Sequence, residues 1–222
     1  MRETKVLLIG ATGLTGSYVL DLLLDKEEVT QVVVWGRSET GKRNRKLKEV
    51  KVDLNAQIDL AAFPDVDVVI CCLGTTIKKA GSQDAFWKTD VDIPERFAIA
   101  AKQKNVSTFI LQSSVGAASD SSNFYLRCKG ELEDKINHLK FKSSASFRPS
   151  LLLGPRKEQR LLEQLSKALM VSFSLFFFGS LARYKAIPAE HVARAMVKFS
   201  IHPMEGKKVF EYSEIQRLSA LL

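Results

Sequence analysis

Cysteine is scarce in this chain. Only Cys71, Cys72 and Cys128 occur, two of them adjacent in an apolar run, so neither a disulfide framework nor a metal-ligand spacing can be built from them. Histidine is equally thin: His138, His191 and His202 show no ligand spacing, and no metal is expected. No stretch reaches the roughly 18 consecutive apolar residues that a membrane span needs. The polar start, residues 1–5, leads into an apolar run that breaks at Gly10 without a cleavage pattern for secretion. These absences predict a soluble, unsecreted protein of the reducing cytoplasm. Twelve glycines and six prolines in 222 residues are too few for a collagen-like or disordered chain. Acidic residues are outnumbered by basic ones, 25 to 33, giving a net charge of +8, which attracts phosphates, whether in a nucleic acid or in a small cofactor.

What remains is enough apolar residue for one core and a single domain over residues 1–222. Short apolar runs alternate with helix-period stretches. Residues 5–9, 31–35, 66–73, 108–111 and 145–153 read as strands; 14–24, 84–104 and 124–138 read as helices, with Pro94 at an entry or break of the second. Val32-Val33-Val34 and Val68-Val69-Ile70 are apolar on both faces, as in a parallel sheet covered by helices. The fold class is therefore α/β, a Rossmann-type, doubly wound, mostly parallel sheet. After Gly154 the pattern shifts to helices at 157–170 and 189–199 and a strand at 208–212, expected to form a small cap on the substrate side. The Phe-rich stretch 168–182 reads as core or pocket lining, or as a contact with a second copy, a protein partner or a membrane surface.

Between the first strand and first helix lies Gly10-Ala11-Thr12-Gly13-Leu14-Thr15-Gly16. A chain turning sharply there aims backbone amides at a pyrophosphate resting on the helix N-terminus, which makes this turn a dinucleotide site. The spacing is G-x-x-G-x-x-G. At the end of the second strand, where an acidic residue would engage the ribose hydroxyls of NAD, the chain has Gly36-Arg37-Ser38. Arg37 offers a fork of donors to a 2′-phosphate, so NADP(H) is expected over NAD(H). Lys42, Arg43 and Arg45 follow and can equally be a solvated basic loop.

Tyr125 and Lys129 are four apart and share one helix face. Among 21 Lys and 4 Tyr such a pair has a fair chance of arising at random, so position carries the argument. Ser114 ends a buried strand at the same sheet edge as the glycine turn, eleven residues before Tyr125. An isolated phenol, with a pKa near 10, parts with its proton more readily beside a cation. Tyr125 can then act as general acid to a carbonyl oxygen held by Ser114, with Lys129 as the cation.

With these residues in place the chain resembles a short-chain dehydrogenase/reductase of the atypical or extended branch. The resemblance rests on the glycine turn, Asp53-Leu54, Leu73-Gly74-Thr75, Ser113-Ser114, Tyr125-x-x-x-Lys129 and Arg148-Pro149-Ser150, all within residues 5–155. Leu111 to Ala117 and Phe178-Gly179-Ser180-Leu181 are similar to the Tat-interacting-protein group of NADPH-binding proteins. The resemblance implies that Asp53 and Leu54 meet the adenine and that Leu73, Gly74 and Thr75 line the cofactor groove. It also implies that Lys129 contacts the nicotinamide ribose and that the backbone from Pro149 to Leu151 approaches the nicotinamide. About 68 residues follow Gly154, too few for the long C-terminal substrate domain of the sugar-nucleotide epimerases.

Two functions follow. The first is NADPH-dependent reduction of a small or medium carbonyl substrate under a lid built partly from residues 161–186, with Arg183 and Tyr184 placed to touch it. The second is an NADP(H)-binding regulatory or interaction module, working as a homodimer or with a protein partner. Nucleic-acid binding through the basic loop 37–51 would explain the charge alone and leaves the glycine turn and the Tyr/Lys pair without a role.

Overall fold

The computed structural model describes residues 3–155 and 183–222. Among these residues nine strands follow in order: β1 (Thr4–Ile9), β2 (Val29–Gly36), β3 (Leu47–Lys51), β4 (Val68–Cys71), β5 (Thr108–Gln112), β6 (Ser143–Phe147), β7 (Leu152–Leu153), β8 (Ile187–Pro188) and β9 (Gly206–Phe210). Seven form one sheet, ordered β3-β2-β1-β4-β5-β6-β9, with every neighbouring pair parallel. β7 and β8 pair separately. The chain first builds outward from β1 to β3, then returns to place β4 on the other side of β1. That reversal opens a crevice at the carboxyl ends of β1 and β4, where ligands bind in such sheets.

Side chains alternate across the central strands, as a period of two requires. Val6, Leu8, Val32, Val34, Val68 and Ile70 face one layer, packed with α1 (Leu14–Asp25) and the later helix Ala189–Ile201. Leu7, Ile9, Val33, Trp35, Val69 and Cys71 face the other layer with the helices that follow β4 and β5. Both faces are dry, which is why these strands read as unbroken apolar runs.

The expected 84–104 helix is three helical pieces. After the short α2 (Ile77–Ala80), α3 (Gln83–Trp87) runs into a π-turn at Lys88–Asp92 and on into α4 (Ile93–Gln103). Pro94 sits at the start of α4. It has no N–H to return to the carbonyl four residues back, and the wider turn, with the Ile93 amide bonded to the Lys88 carbonyl, takes up the mismatch. α5 (Phe124–His138) begins where Asn123 caps it through Oδ1 on the Leu126 amide.

Four expectations change. The basic stretch 37–51 is not wholly loop: Leu47–Lys51 is β3, paired in parallel with β2, its Lys48, Glu49 and Lys51 suiting an exposed sheet edge. The strand expected at 145–153 stops at Phe147, and Pro149 separates it from β7. The serines at 143 and 144 hide the true start of β6, although both are buried. The last strand begins at Gly206, and residues 212–219 form a helix. Of the segment expected to cap the sheet, residues 189–201 form α6 (Ala189–Ile201), which packs on α1; β9 joins β6 at the sheet edge, and α7 (Tyr212–Ser219) packs on α6. The helix at 157–170 and the Phe-rich stretch lie outside the described residues.

Candidate active site

Gly10 carries a φ of +86°, a left-handed conformation that glycine adopts without penalty. A Cβ there would lie 2.7 Å from the Cys72 carbonyl carbon, so β4 closes against the turn. Gly16 is tighter still: its Cβ would fall 2.1 Å from the Gly10 carbonyl oxygen. The turn folds through the Gly13 amide to the Gly10 carbonyl, 3.0 Å. Gly13 then starts α1 with no capping side chain, which leaves the first-turn amides of Leu14, Thr15 and Gly16 without helical partners. Thr15 Oγ1 is buried and has no hydrogen-bond partner. Thr12 and Gly13 are exposed and Leu14 half-buried, against Gly154. An anion accepting from these amides and from Thr15 would complete the helix end, so the turn fits a dinucleotide pyrophosphate.

Arg37 follows β2 and is exposed at the same edge. The next basic residues are partly spent elsewhere: Lys42 pairs with Asp21, and Lys46 donates to the carbonyls of Leu24 and Lys26 at the end of α1. Asp53 is exposed and Leu54 buried, and their loop is pinned by the Arg96 guanidinium, which donates to the carbonyls of Leu54, Asn55 and Ala56.

Across the crevice the loop after β4 meets α5. Leu73 is half-buried; Gly74 is exposed, and a Cβ on it would stand 3.5 Å from Asp90 Oδ1 and 3.9 Å from Lys129 Nζ. The Thr75 amide donates to Asp90 Oδ2 at 2.9 Å, and Lys129 Nζ donates to Asp90 Oδ1 at 2.8 Å. Asp90 is fully buried and the Lys129 side chain 4% exposed. Burial alone would push the Lys129 ammonium down; the Asp90 carboxylate, with Tyr125 acting in the same sense, outweighs it and holds Lys129 above its ordinary value. Tyr125 is half-buried, its ring 5.9 Å from Lys129 Nζ and edge-on to Phe86.

Ser114 leaves β5 half-buried. Its loop is pressed on α5: the Ala118 amide donates to the Leu126 carbonyl, and a Cβ on Gly130 would fall 2.2 Å from the Ala118 carbonyl carbon. Only glycine permits that approach. The Val115 amide donates to the Pro149 carbonyl, and the Ile187 amide to the Leu151 carbonyl, binding these loops into one rim. The Ser150 hydroxyl donates to the Lys185 carbonyl. Arg183 and Tyr184 are exposed and stacked on each other.

Two groups lay beyond sequence reasoning. Asp90 interrupts an apolar stripe of Phe86, Ile93 and Phe97 at helical spacing, and a carboxylate in such a stripe is the signal that would have found it. Glu133, buried in α5, accepts two bonds from Arg148, 2.9 and 2.8 Å, and one from Ser113, 2.5 Å. That clamp ties the ends of β5 and β6 to α5. Among the described residues no cluster of metal-ligating side chains is present.

A nucleotide-binding crevice facing a helix with paired Tyr and Lys defines a Rossmann-type, NAD(P)-dependent protein. The chain belongs to the NAD dependent epimerase/dehydratase family, whose model matches residues 6–212; the family lies in the extended short-chain dehydrogenase/reductase superfamily, and its members are oxidoreductase-type enzymes. The chain is 38% identical over 216 residues to Protein HTATIP2, the Tat-interacting protein, of Rattus norvegicus, covering 93% of this chain and 85% of that one. It is 35% identical over 212 residues to Protein FMP52, mitochondrial, of Meyerozyma guilliermondii, covering 91% and 88%. Among solved structures, MoeE5 in complex with UDP-glucose and NAD superposes with a TM-score of 0.71 at 17% identity, covering 98% and 81%. WbmH of Bordetella bronchiseptica in complex with NAD+ gives 0.69 at 18%, covering 95% and 76%. These two share the fold. The fungal relatives, FMP52 of Aspergillus clavatus included, carry mitochondrial names, which corrects the expectation of a cytoplasmic protein.

Proposed function

We propose that the protein is an NADPH-dependent reductase of a small or medium carbonyl compound. The observation that supports this most is the contact between the loop of Gly74 and Thr75, beside the glycine turn, and the Asp90–Lys129 pair one helical turn from Tyr125. In this reading the cofactor groove and the proton donor share one crevice. A bound nicotinamide dinucleotide supplies the hydride. Tyr125 gives its hydroxyl proton to the carbonyl oxygen, and the phenolate left behind regains a proton from water. Ser114 steadies the same oxygen by donating a hydrogen bond. Arg37, with no carboxylate at Gly36 or Ser38, supports the 2′-phosphate and hence NADP(H). The names of the fungal relatives support a mitochondrial setting.

The test is a screen of aldehydes, ketones and quinones followed by NADPH absorbance. Tyr125→Phe is expected to bind cofactor as the parent does and to turn over ~10²-fold more slowly or worse; equal turnover removes Tyr125 from the chemistry. Arg37→Ala is expected to erase the preference for NADPH over NADH, and an unchanged ratio of the two affinities removes Arg37 from the site.

A further inference from the structure

Strands joined in parallel need a crossover, usually a helix that also covers one face of the sheet. Between β3 and β4, residues 52–67 contain no helix. Their sequence turns instead. Asp53 Oδ1 accepts from the Asn55 amide at 2.9 Å and Asp59 Oδ1 from the Ala61 amide at 2.8 Å, side-chain bonds that compete with a helix. One face of β2 and β3 is therefore covered by a loop, and a cavity of about 330 Å³ stays open beneath it.

The loop is held at both ends. Arg96 of α4 fastens the first, donating to the carbonyls of Leu54, Asn55 and Ala56 at 2.7, 3.0 and 2.9 Å. Phe63 fastens the second, buried and edge-on to Trp35 with ring centroids 5.7 Å apart. A loop so held does not settle onto the strands, and protein interiors keep few voids this much larger than a water molecule.

The floor of the cavity is Val33, Trp35 and Phe97, the two rings edge-on at 6.0 Å, an arrangement that a further flat ring can extend. Half-buried Val50, Val52 and Ile58 add apolar wall. At the exposed rim stand Asp53 and Asp59, each with no partner for Oδ2 among the described residues, beside the single ammonium of Lys48. Two carboxylates against one cation favour a ligand that presents an N–H or O–H and disfavour an anion. The glycine turn, Gly74, Ser114 and Tyr125 are all absent from the lining; it meets the residues expected at the cofactor only at Asp53 and Leu54.

We infer that this cavity is a second ligand site, for an uncharged molecule of one or two aromatic rings carrying a hydrogen-bond donor. Its volume is at the lower end for small-molecule pockets, enough for a fused pair of rings and too little for a dinucleotide. The ligand and NADPH bind together, a clause that rests on the glycine turn being the cofactor site.

The probe is 5-fluoroindole, titrated by fluorine NMR against the protein alone and against the protein saturated with NADPH. The expected result is one saturable site with a Kd of ~100 µM, the scale for a ligand of this size, unchanged by NADPH. 2-Fluoronaphthalene, of similar size without a donor, is expected to bind ~10-fold more weakly. Ala62→Phe, at an exposed lining position, fills the opening and is expected to weaken 5-fluoroindole at least ~10-fold while NADPH binds as before. Ala56→Leu, at another exposed lining position, repeats the test if Ala62→Phe does not fold. Absence of saturable binding, equal affinity in the filled variant, or equal affinity for the two probes overturns the inference. So does displacement of 5-fluoroindole by NADPH, which would give the cavity to the adenine. A protein that takes the probe and not NADPH would sink the cofactor reading and leave this site standing.

Discussion

The two sides of the crevice are built from different materials. On the β1 side the glycine turn works with backbone alone: amides at a helix start, an absent Cβ at Gly16, and one buried hydroxyl at Thr15. On the β4–β5–β6 side the work is done by ionised side chains taken out of water, Asp90 with Lys129 and Glu133 with Arg148. Backbone amides offer an anion a fixed dipole at no cost in buried charge. A proton donor needs charges whose balance can be tuned, and buried ones must be paired and hydrogen-bonded to be tolerated. The half proposed to bind the cofactor is therefore held by sterics, and the half proposed to carry the chemistry by electrostatics.

That contrast can be broken most sharply on the electrostatic side. Glu133→Ala leaves Arg148 and Ser113 facing a hole, and is expected to cost about 3 kcal/mol of unfolding free energy in urea titration, the low end for breaking a buried pair because Arg148 is 22% exposed. The exposed pair of Lys5 with Asp65 is the control; Asp65→Asn is expected to change nothing measurable. A Glu133→Ala protein as stable as its parent would show that sterics hold both halves. On the other side Gly16→Ala forces a methyl against the Gly10 carbonyl. The expected effect is ~2 kcal/mol, read as ~30-fold weaker NADPH binding with Tyr125 and Lys129 undisturbed. Equal affinity would mean the turn does not carry the cofactor.

The smallest effect sharpens the comparison through pH. The folded chain holds the Cys71 proton from the ordinary thiol value of 9.0 up to about 11, because burial disfavours the thiolate. The unfolded chain releases it in that window, so it binds fewer protons there than the folded one. Lys129, held above 10.5, adds the same sign further up. Thermal unfolding is thus expected to fall as pH rises above about 9 and to be insensitive to these two groups near neutrality. A midpoint flat to pH 11 would remove both from the balance.

Much of the fold was legible in local pattern. The alternation of double-faced apolar runs with helical periods gave the parallel sheet, and the helical period over residues 124–138 gave α5 its bounds. β3 was hidden because an edge strand of Leu, Lys, Glu, Val and Lys has no face that must be apolar, and β6 because its buried serines look like loop. The glycine turn was readable because sterics act between near neighbours in sequence. Asp90 and Glu133 were not singled out. Their partners lie 39 and 15 residues away, and nothing short of the assembled sheet brings them together.

By itself, then, the sequence determined the alternation of the central strands with their helices, the glycine bend at the head of α1, and the placing of Tyr125 and Lys129 one turn apart, since each depends on residues within a few positions of one another. The tertiary structure decided which charges are buried together. It set Asp90 beneath Lys129, Glu133 across from Arg148, and the Thr75 amide onto a carboxylate from another element. Electrostatic strength depends on distance through space and on exclusion of water, and neither quantity exists until the layers have packed.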